Sequence, residues 1–416
     1  MGMKYYRFPE NRITKIAFAA FLFAMLLVCR DTLITSSIIG FYKATFISYG
    51  LIALMGIAFL WVNRKNLKQI LTDERMLLAL VATVIFVVPM LVKRDWQMMY
   101  ISVLICIYFS IFLSYYLTLE EVAKVYIILI SFLGVYSLFA TYFLEILVDL
   151  GMLNVPVFSN GIFDFYNFGL SYSLIASFPY FRNFGIFREP GVYQFFIILA
   201  MVLNNYVVSW EKSWKLWAHN VILFFTMLST FATGGLIEVG LLAVVLFFDK
   251  KWYKSKTICI ILAVFLAVVS IVVAYSFAVE NMLYTVIWNM VNKILCWDAS
   301  YTEGSRLQSI LVDMDFFIRN PLFGANLSSV IYSVEFNTTS TMVLFAAFGM
   351  FVGGFHVLSW MLLVWNRNNS LVVNLILLFI LFMSFNTQNL LANQFFWIFP
   401  VLAVVERVVP KLNFKR

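Results

Sequence analysis

The stretch from Met76 to Val92, MLLALVATVIFVVPMLV, decides the fold class. Its 17 residues carry no charge, and Thr83 is their one polar side chain. As an α-helix rising about 1.5 Å per residue, it covers most of the roughly 30 Å hydrocarbon layer of a bilayer. Comparable apolar runs recur at approximately 13–29, 44–62, 99–117, 125–148, 190–208, 217–232, 235–248, 257–279, 339–365, 370–386 and 391–405. The stretch 217–248 is too long for one crossing and has Thr233-Gly234-Gly235 at its middle, which predicts two short helices and a tight turn.

The composition agrees with that pattern. Charged residues make up 12% of the chain and hydrophobic ones 63%, with a mean hydropathy of +0.92. A soluble domain carries about 25% charged residues, so a single aqueous core is excluded. In lipid a helix satisfies its own backbone polar groups, so the expected architecture is an all-α polytopic membrane protein of twelve transmembrane helices. No repeat, low-complexity tract or linker divides it, and 1–416 is read as one membrane domain.

The formal charge of +8 is spread as punctuation between apolar runs, not as a stripe, which argues against a nucleic-acid partner. With the N-terminus in the cytoplasm, twelve crossings bring the C-terminus there too. The cytoplasmic segments then hold 20 of the 29 basic residues, as the positive-inside rule requires. The first run follows Lys4, Arg7, Arg12 and Lys15 and lacks a small-residue cleavage site, so it reads as a signal-anchor. Leu26-Leu27-Val28-Cys29 fails as a lipidation box because Val28 replaces the small residue needed before the cysteine. Cys29, Cys106, Cys259 and Cys296 have neither disulfide nor metal-ligand spacing. His219 and His356 fall near span ends on the cytoplasmic side, so no metal site is expected.

The cytoplasmic connections are short, which leaves no room for a nucleotide-binding domain. Two outer loops are long, 149–189 and 280–338, and loops of that length are commonly functional. The first holds eleven aromatic residues between Phe158 and Phe187. They suit an interfacial belt, stacking platforms for sugar rings, or both.

Two constellations in these loops can carry chemistry. Arg182-Asn183-Phe184-Gly185-Ile186-Phe187-Arg188-Glu189-Pro190-Gly191 ends where a span begins. Proline suits a first helical position, which puts Glu189 at the cap with Arg188 and Arg182 just outside. A helix N-terminus with two arginines favours an anion; the alternative is a simple cap with arginines on lipid phosphates. The second is Glu303-Gly304-Ser305-Arg306-Leu307-Gln308, leading into a helical run that stops at Asn320-Pro321-Leu322-Phe323-Gly324. Ser305 and Gln308 have capping-box spacing. Arg306 in a first turn opposes the helix dipole, a cost that an anionic ligand would reverse. Its alternative is a surface pair with Asp313 or Asp315, and Arg319 suits the helix C-terminus. Glu238 is the one carboxylate inside the two short helices, and an ionisable group there is a functional candidate. Glu145 and Asp149 read as solvated span ends.

At these residues the chain resembles polysaccharide polymerases of the Wzy type. Gly185-Ile186-Phe187-Arg188-Glu189-Pro190-Gly191 is similar to the first outer-loop signature of that family. Arg306 with Asn320-Pro321-Leu322-Phe323-Gly324 is similar to the second. The resemblance implies an inverting, GT-C-like glycosyltransferase acting without metal or other cofactor. Its donor and acceptor would be undecaprenyl-pyrophosphate-linked glycans, joined on the periplasmic face of a bacterial inner membrane, with a chain-length regulator as protein partner. Arg188, Glu189 and Arg306 would be the catalytic residues, and Arg182, Arg319 and Glu238 would bind substrate among the membrane lipids.

Two alternatives stand beside this. O-antigen ligases share the plan but place a histidine in the second outer loop; Asn337-Thr338-Thr339-Ser340 occupies that region here. The small-basic pair that family members often show in the central hairpin is replaced by Gly234-Gly235. A flippase for lipid-linked glycans would line a central cavity with charge and keep its loops short.

Overall fold

The computed structural model describes residues 12–35, 41–62, 73–159, 164–175, 182–280, 284, 287–288, 306–334, 337–366 and 369–412, and the statements below concern these. It is mostly helical. In chain order the helices are α1 (Arg12–Leu27), α2 (Phe41–Val62), α3 (Glu74–Lys93), α4 (Met98–Leu113), α5 (Leu119–Phe139) and α6 (Glu145–Asp149). They continue with α7 (Pro190–Tyr206), α8 (Ser213–Thr230), α9 (Thr233–Asp249), α10 (Lys256–Val279) and α11 (Arg306–Arg319). The last are α12 (Leu327–Ile331), α13 (Thr341–Phe348), α14 (Met350–Val364), α15 (Leu371–Phe385) and α16 (Phe395–Leu412). Every apolar run read from the sequence contains helix, although 391–405 becomes helical only at Phe395; 217–248 is two helices, with the turn at Phe231 and Ala232 and not at Thr233-Gly234-Gly235, which open the second helix. The run 339–365 differs, since it breaks at Gly349 into α13 and α14.

Local chemistry fixes several helix starts. Asp73 accepts from the Arg75 amide at 2.9 Å before α3, and Thr118 with Glu121 forms a capping box before α5. Ser370 caps α15. The capping box expected at Ser305 lies outside the described residues. α7 is the central helix: 15 of its 17 residues are buried. The outer helices reverse the soluble pattern. α3 leaves Leu77, Leu80, Val84, Val88 and Leu91 exposed, while Gln194, Glu238, Gln388, Asn393 and Gln394 are buried inside. Two helical segments, Glu74–Lys93 and Leu119–Asp149, are long and apolar enough to cross a membrane on length and composition.

The first long loop is not wholly irregular. Val157–Ser159, Asp164–Asn167 and Tyr172–Leu174 form a small antiparallel sheet, β1-β2-β3. Phe165, Tyr172 and Phe184 close into a separate buried cluster with Leu33, and Phe158 packs on it. Those aromatics are the core of the loop, which neither of the roles expected for them had anticipated.

The Asn320–Gly324 segment is a structural seam. The Met350 amide donates to Pro321 O at 2.8 Å and the Ala325 amide to Ala346 O at 2.7 Å, so the turn docks on the break between α13 and α14. Gly324 and Gly349 both have positive φ, +72° and +82°, and a side chain on either would overlap the other segment's backbone. Lys93 Nζ donates to Ala325 O at 2.9 Å, to Ala347 O and to the Tyr100 hydroxyl, while Asp95 accepts from the Leu327 amide at 2.7 Å. The end of α3 therefore holds the second loop in place.

Candidate functional site

The first constellation is pinned before it reaches its helix. Arg182 donates to the Thr230 and Phe231 carbonyls at 3.2 and 3.4 Å, which places its charge at the C-terminus of α8. Buried Asn183 donates to the Ser137 and Ser229 hydroxyls, each at 2.9 Å, and accepts from the Gly185 amide. Phe187 stacks on Phe196 with ring centroids 4.3 Å apart. The strip after α1 runs alongside: the Leu33 amide donates to Ile186 O at 2.9 Å and the Arg188 amide to Asp31 O at 3.1 Å. Arg188 Nε consequently lies 3.4 Å from Asp31 Oδ1, and Asn393 donates to Asp31 Oδ2 at 2.6 Å. Asp31 is buried and holds the guanidinium from behind.

Glu189 occupies the N-cap position of α7, with Pro190 first in the helix, as the sequence predicts. Its side chain makes no capping hydrogen bond. The carboxylate instead accepts from Gln388 Nε2 at 3.0 Å and lies 3.7 Å from Arg188 Nη1. It is half exposed, 50% against 26% for the Arg188 side chain, so one side of it faces outward.

Arg306 arrives from the second loop over the first turn of α7. A Cβ placed on Gly191 would sit 2.8 Å from Gln388 Nε2 and 3.4 Å from Arg306 Nη2, so the ends of both side chains lie against this turn. The Arg306 side chain is open to solvent. Enough protein nevertheless surrounds its guanidinium that desolvation pulls its pKa down, against the opposing pull of Glu189 and then Glu238. With Gln388, Glu189 and Arg188 it borders the recess over the first turn of α7. Arg306 has neither an ion pair nor a hydrogen bond among the described residues.

The remaining candidates fall elsewhere. Arg319 pairs with Asp315 at 2.9 Å one turn back, on an exposed face away from this recess. Asp313 does not pair with Arg306. It is buried on α11, where Asn337 donates to it at 2.8 Å and the Thr339 hydroxyl also donates. Burial raises its pKa to about 6, against the lowering effect of those two bonds. The segment that stands where ligases place a histidine thus anchors the helix carrying Arg306. Glu238 lies buried below the recess, and Glu145 is buried against Ser173, not solvated. His356 sits in mid-helix, sealed among Trp360, Phe396 and Trp397, and not near a span end.

Three residues of the site escaped the sequence reading: Asp31, Gln388 and Asn393. The latter two come from the connection 386–394, which is buried and amide-rich. Its run of Asn386, Gln388, Asn389, Asn393 and Gln394 between two apolar helices was the available signal. Asp31, one carboxylate at a span end, gave none.

The recess thus combines two guanidiniums, a carboxylate with an open side, and an amide that fixes the carboxylate. Such a set can grip an oxyanion by two-pronged hydrogen bonds and accept a proton beside it. Among the described residues no three metal-ligating side chains cluster. No protein-family model matches the chain, and no curated protein matches it.

Proposed function

We propose that the chain is a polytopic inner-membrane glycosyltransferase that joins undecaprenyl-pyrophosphate-linked repeat units into O-antigen or capsule-type polysaccharide on the periplasmic face. The observation that carries this reading is the meeting of Arg188, Glu189 and Arg306 from two separate loops over the start of α7. In the proposed reaction a hydroxyl at the non-reducing end of one unit attacks the anomeric carbon of the lipid-linked chain. The bond from that carbon to the pyrophosphate oxygen breaks, with inversion. Glu189 takes the hydroxyl proton, and Arg188 and Arg306 hold the departing lipid pyrophosphate and stabilise its developing charge. Asp31 and Gln388 keep the first arginine and the carboxylate aimed. A regulator of chain length belongs to the same proposal.

Support for the membrane reading comes from the apolar outer face of α3 combined with a polar interior. The reaction is tested in a deletion strain. A polymerase loss leaves single repeat units at the surface or on their carrier facing the periplasm. Units trapped facing the cytoplasm would favour a flippase, and full-length chains stranded on the lipid carrier a ligase. Either result would replace this proposal.

A further inference from the structure

Arg188 stands between two carboxylates, and its contacts with both are loose. Nε lies 3.4 Å from Asp31 Oδ1, and Nη1 lies 3.7 Å from Glu189 Oε1. A paired guanidinium and carboxylate ordinarily close to about 2.7–2.9 Å, often through two parallel bonds. Here Nε is sealed from solvent and still lacks an aligned hydrogen bond. The backbone does not keep the groups apart. The strips 31–33 and 186–188 pair antiparallel through a bridge between Thr32 and Phe187, which sets Asp31 directly beside Arg188.

The second oxygen of each carboxylate has another partner. Asp31 Oδ2 accepts from Asn393 Nδ2 at 2.6 Å, and Glu189 Oε2 accepts from Gln388 Nε2 at 3.0 Å. Both amides come from the buried connection 386–394. Asn393 is held in this orientation, because its Oδ1 accepts from the Phe395 amide at 3.0 Å where α16 begins. Ser340 fastens the same connection: its hydroxyl donates to Gln388 O and accepts from the Leu390 amide at 2.7 Å.

We infer that Asn393 and Gln388 are positioning residues that each hold one carboxylate oxygen away from Arg188, so that neither acid closes a two-pronged pair with it. The two acids then orient the guanidinium without saturating its five donors. An entering pyrophosphate meets donors that are already aligned and still open. This inference rests on the reading of Arg188 as a residue that grips pyrophosphate.

The experiment uses the full chain purified in detergent, with inorganic pyrophosphate as the probe and calorimetry as the readout. Asn393→Ser keeps an acceptor suited to a helix start but is too short to reach Asp31. With Oδ2 released, Asp31 closes on the guanidinium. Pyrophosphate affinity should fall by roughly 10- to 100-fold, the range for a hydrogen bond to a charged group. Adding Asp31→Asn removes the competing charge and should recover most of that loss, which a merely structural role for Asn393 would not allow. In an Arg188→Ala background Asn393→Ser should change affinity little. If Asn393→Ser does not fold, Gln388→Met, similar in length but without a donor, makes the same test on Glu189, with Glu189→Gln as the rescue. Failure of the unaltered protein to bind pyrophosphate, or binding indifferent to Arg188→Ala, overturns the anion-site reading and this inference together. Binding that needs Arg188 but is undiminished by the amide variant, or a loss that the rescue does not relieve, overturns this inference alone.

Discussion

Arg306 and Glu189 lend themselves to replacements that separate charge from geometry. Lysine keeps the charge of Arg306 but loses the planar fork that matches a pyrophosphate. If the grip is two-pronged, Arg306→Lys should shorten polymer nearly as severely as Arg306→Ala on a silver-stained gel. Near-normal chain length with lysine would reduce Arg306 to a steering charge. For Glu189 the geometry already removes one competing role, since its side chain caps nothing and is fixed by Gln388. Glu189→Gln preserves size but not proton affinity, and loss of a general base costs about 10²–10⁴ in rate. At wild-type expression long chains should disappear, and full-length polymer from this variant would strike Glu189 from the mechanism.

At the scale of elements, α11 matters because it delivers Arg306. Its inner face is anchored through Asp313, buried against Asn337 and Thr339. Asp313 has a folded pKa of about 6, above its ordinary 3.8, so the fold favours the protonated form. The stability this contributes is complete below about pH 4 and is lost as pH rises through 6. Asp313→Asn can replace it: Oδ1 accepts from Asn337, and Nδ2 donates to a Thr339 hydroxyl turned toward Asn337 Oδ1, 3.2 Å away. Thermal unfolding of purified protein from pH 4 to 7 should therefore show the asparagine variant gaining on the wild type as pH rises. Asp313→Ala removes both carboxylate acceptors and leaves Asn337 Nδ2 and the Thr339 hydroxyl only their longer bonds to Val330 O and Asn337 Oδ1, at 3.3 and 3.2 Å, so it should be the less stable variant throughout. A wild-type-minus-asparagine difference that stays flat across this range would mean that Asp313 is not the buried acid described.

What the sequence disclosed at these two scales follows from locality. Pro190 after Glu189, Thr233-Gly234-Gly235 between two apolar runs, and the runs themselves are signals held within a few residues. The break at Gly349 was hidden because Met350 continues an unbroken apolar run, and only the docking of Pro321 and Gly324 separates the two helices. The role of the first-loop aromatics was hidden because belt, sugar platform and small core demand the same residue types. Asp31 and Gln388 reach the site through contacts across the whole chain, and nothing in their own surroundings announces a partner.

The whole molecule puts the site at one end of its helices. Asp31 follows α1, Arg188 precedes α7, Thr230 ends α8 and Gln388 follows α15, and contacts of Arg182, Arg188 and Glu189 join these ends, while Lys93 ties the end of α3 to Ala325 of the second loop. At the opposite end the Ser209 amide, after α7, donates to Glu120 at 3.0 Å, and the Leu119 amide donates to Glu406 near the end of α16 at 2.6 Å. Helices that alternate in this way suit the proposed membrane topology, in which successive helices run in opposite directions. Among the described residues, Lys124, Lys212, Lys215, Lys250, Lys251 and Lys254 lie at this second end. Positive charge of that kind is retained in the cytoplasm, so the Arg188 end should face outward. Single cysteines introduced as Asn160→Cys and Ser300→Cys should react with an impermeant maleimide in intact spheroplasts. Ile70→Cys and Trp252→Cys should react only after the membrane is opened. Labelling of position 70 or 252 from outside would invert the protein, carry the recess to the cytoplasmic face, and remove the periplasmic reaction with it.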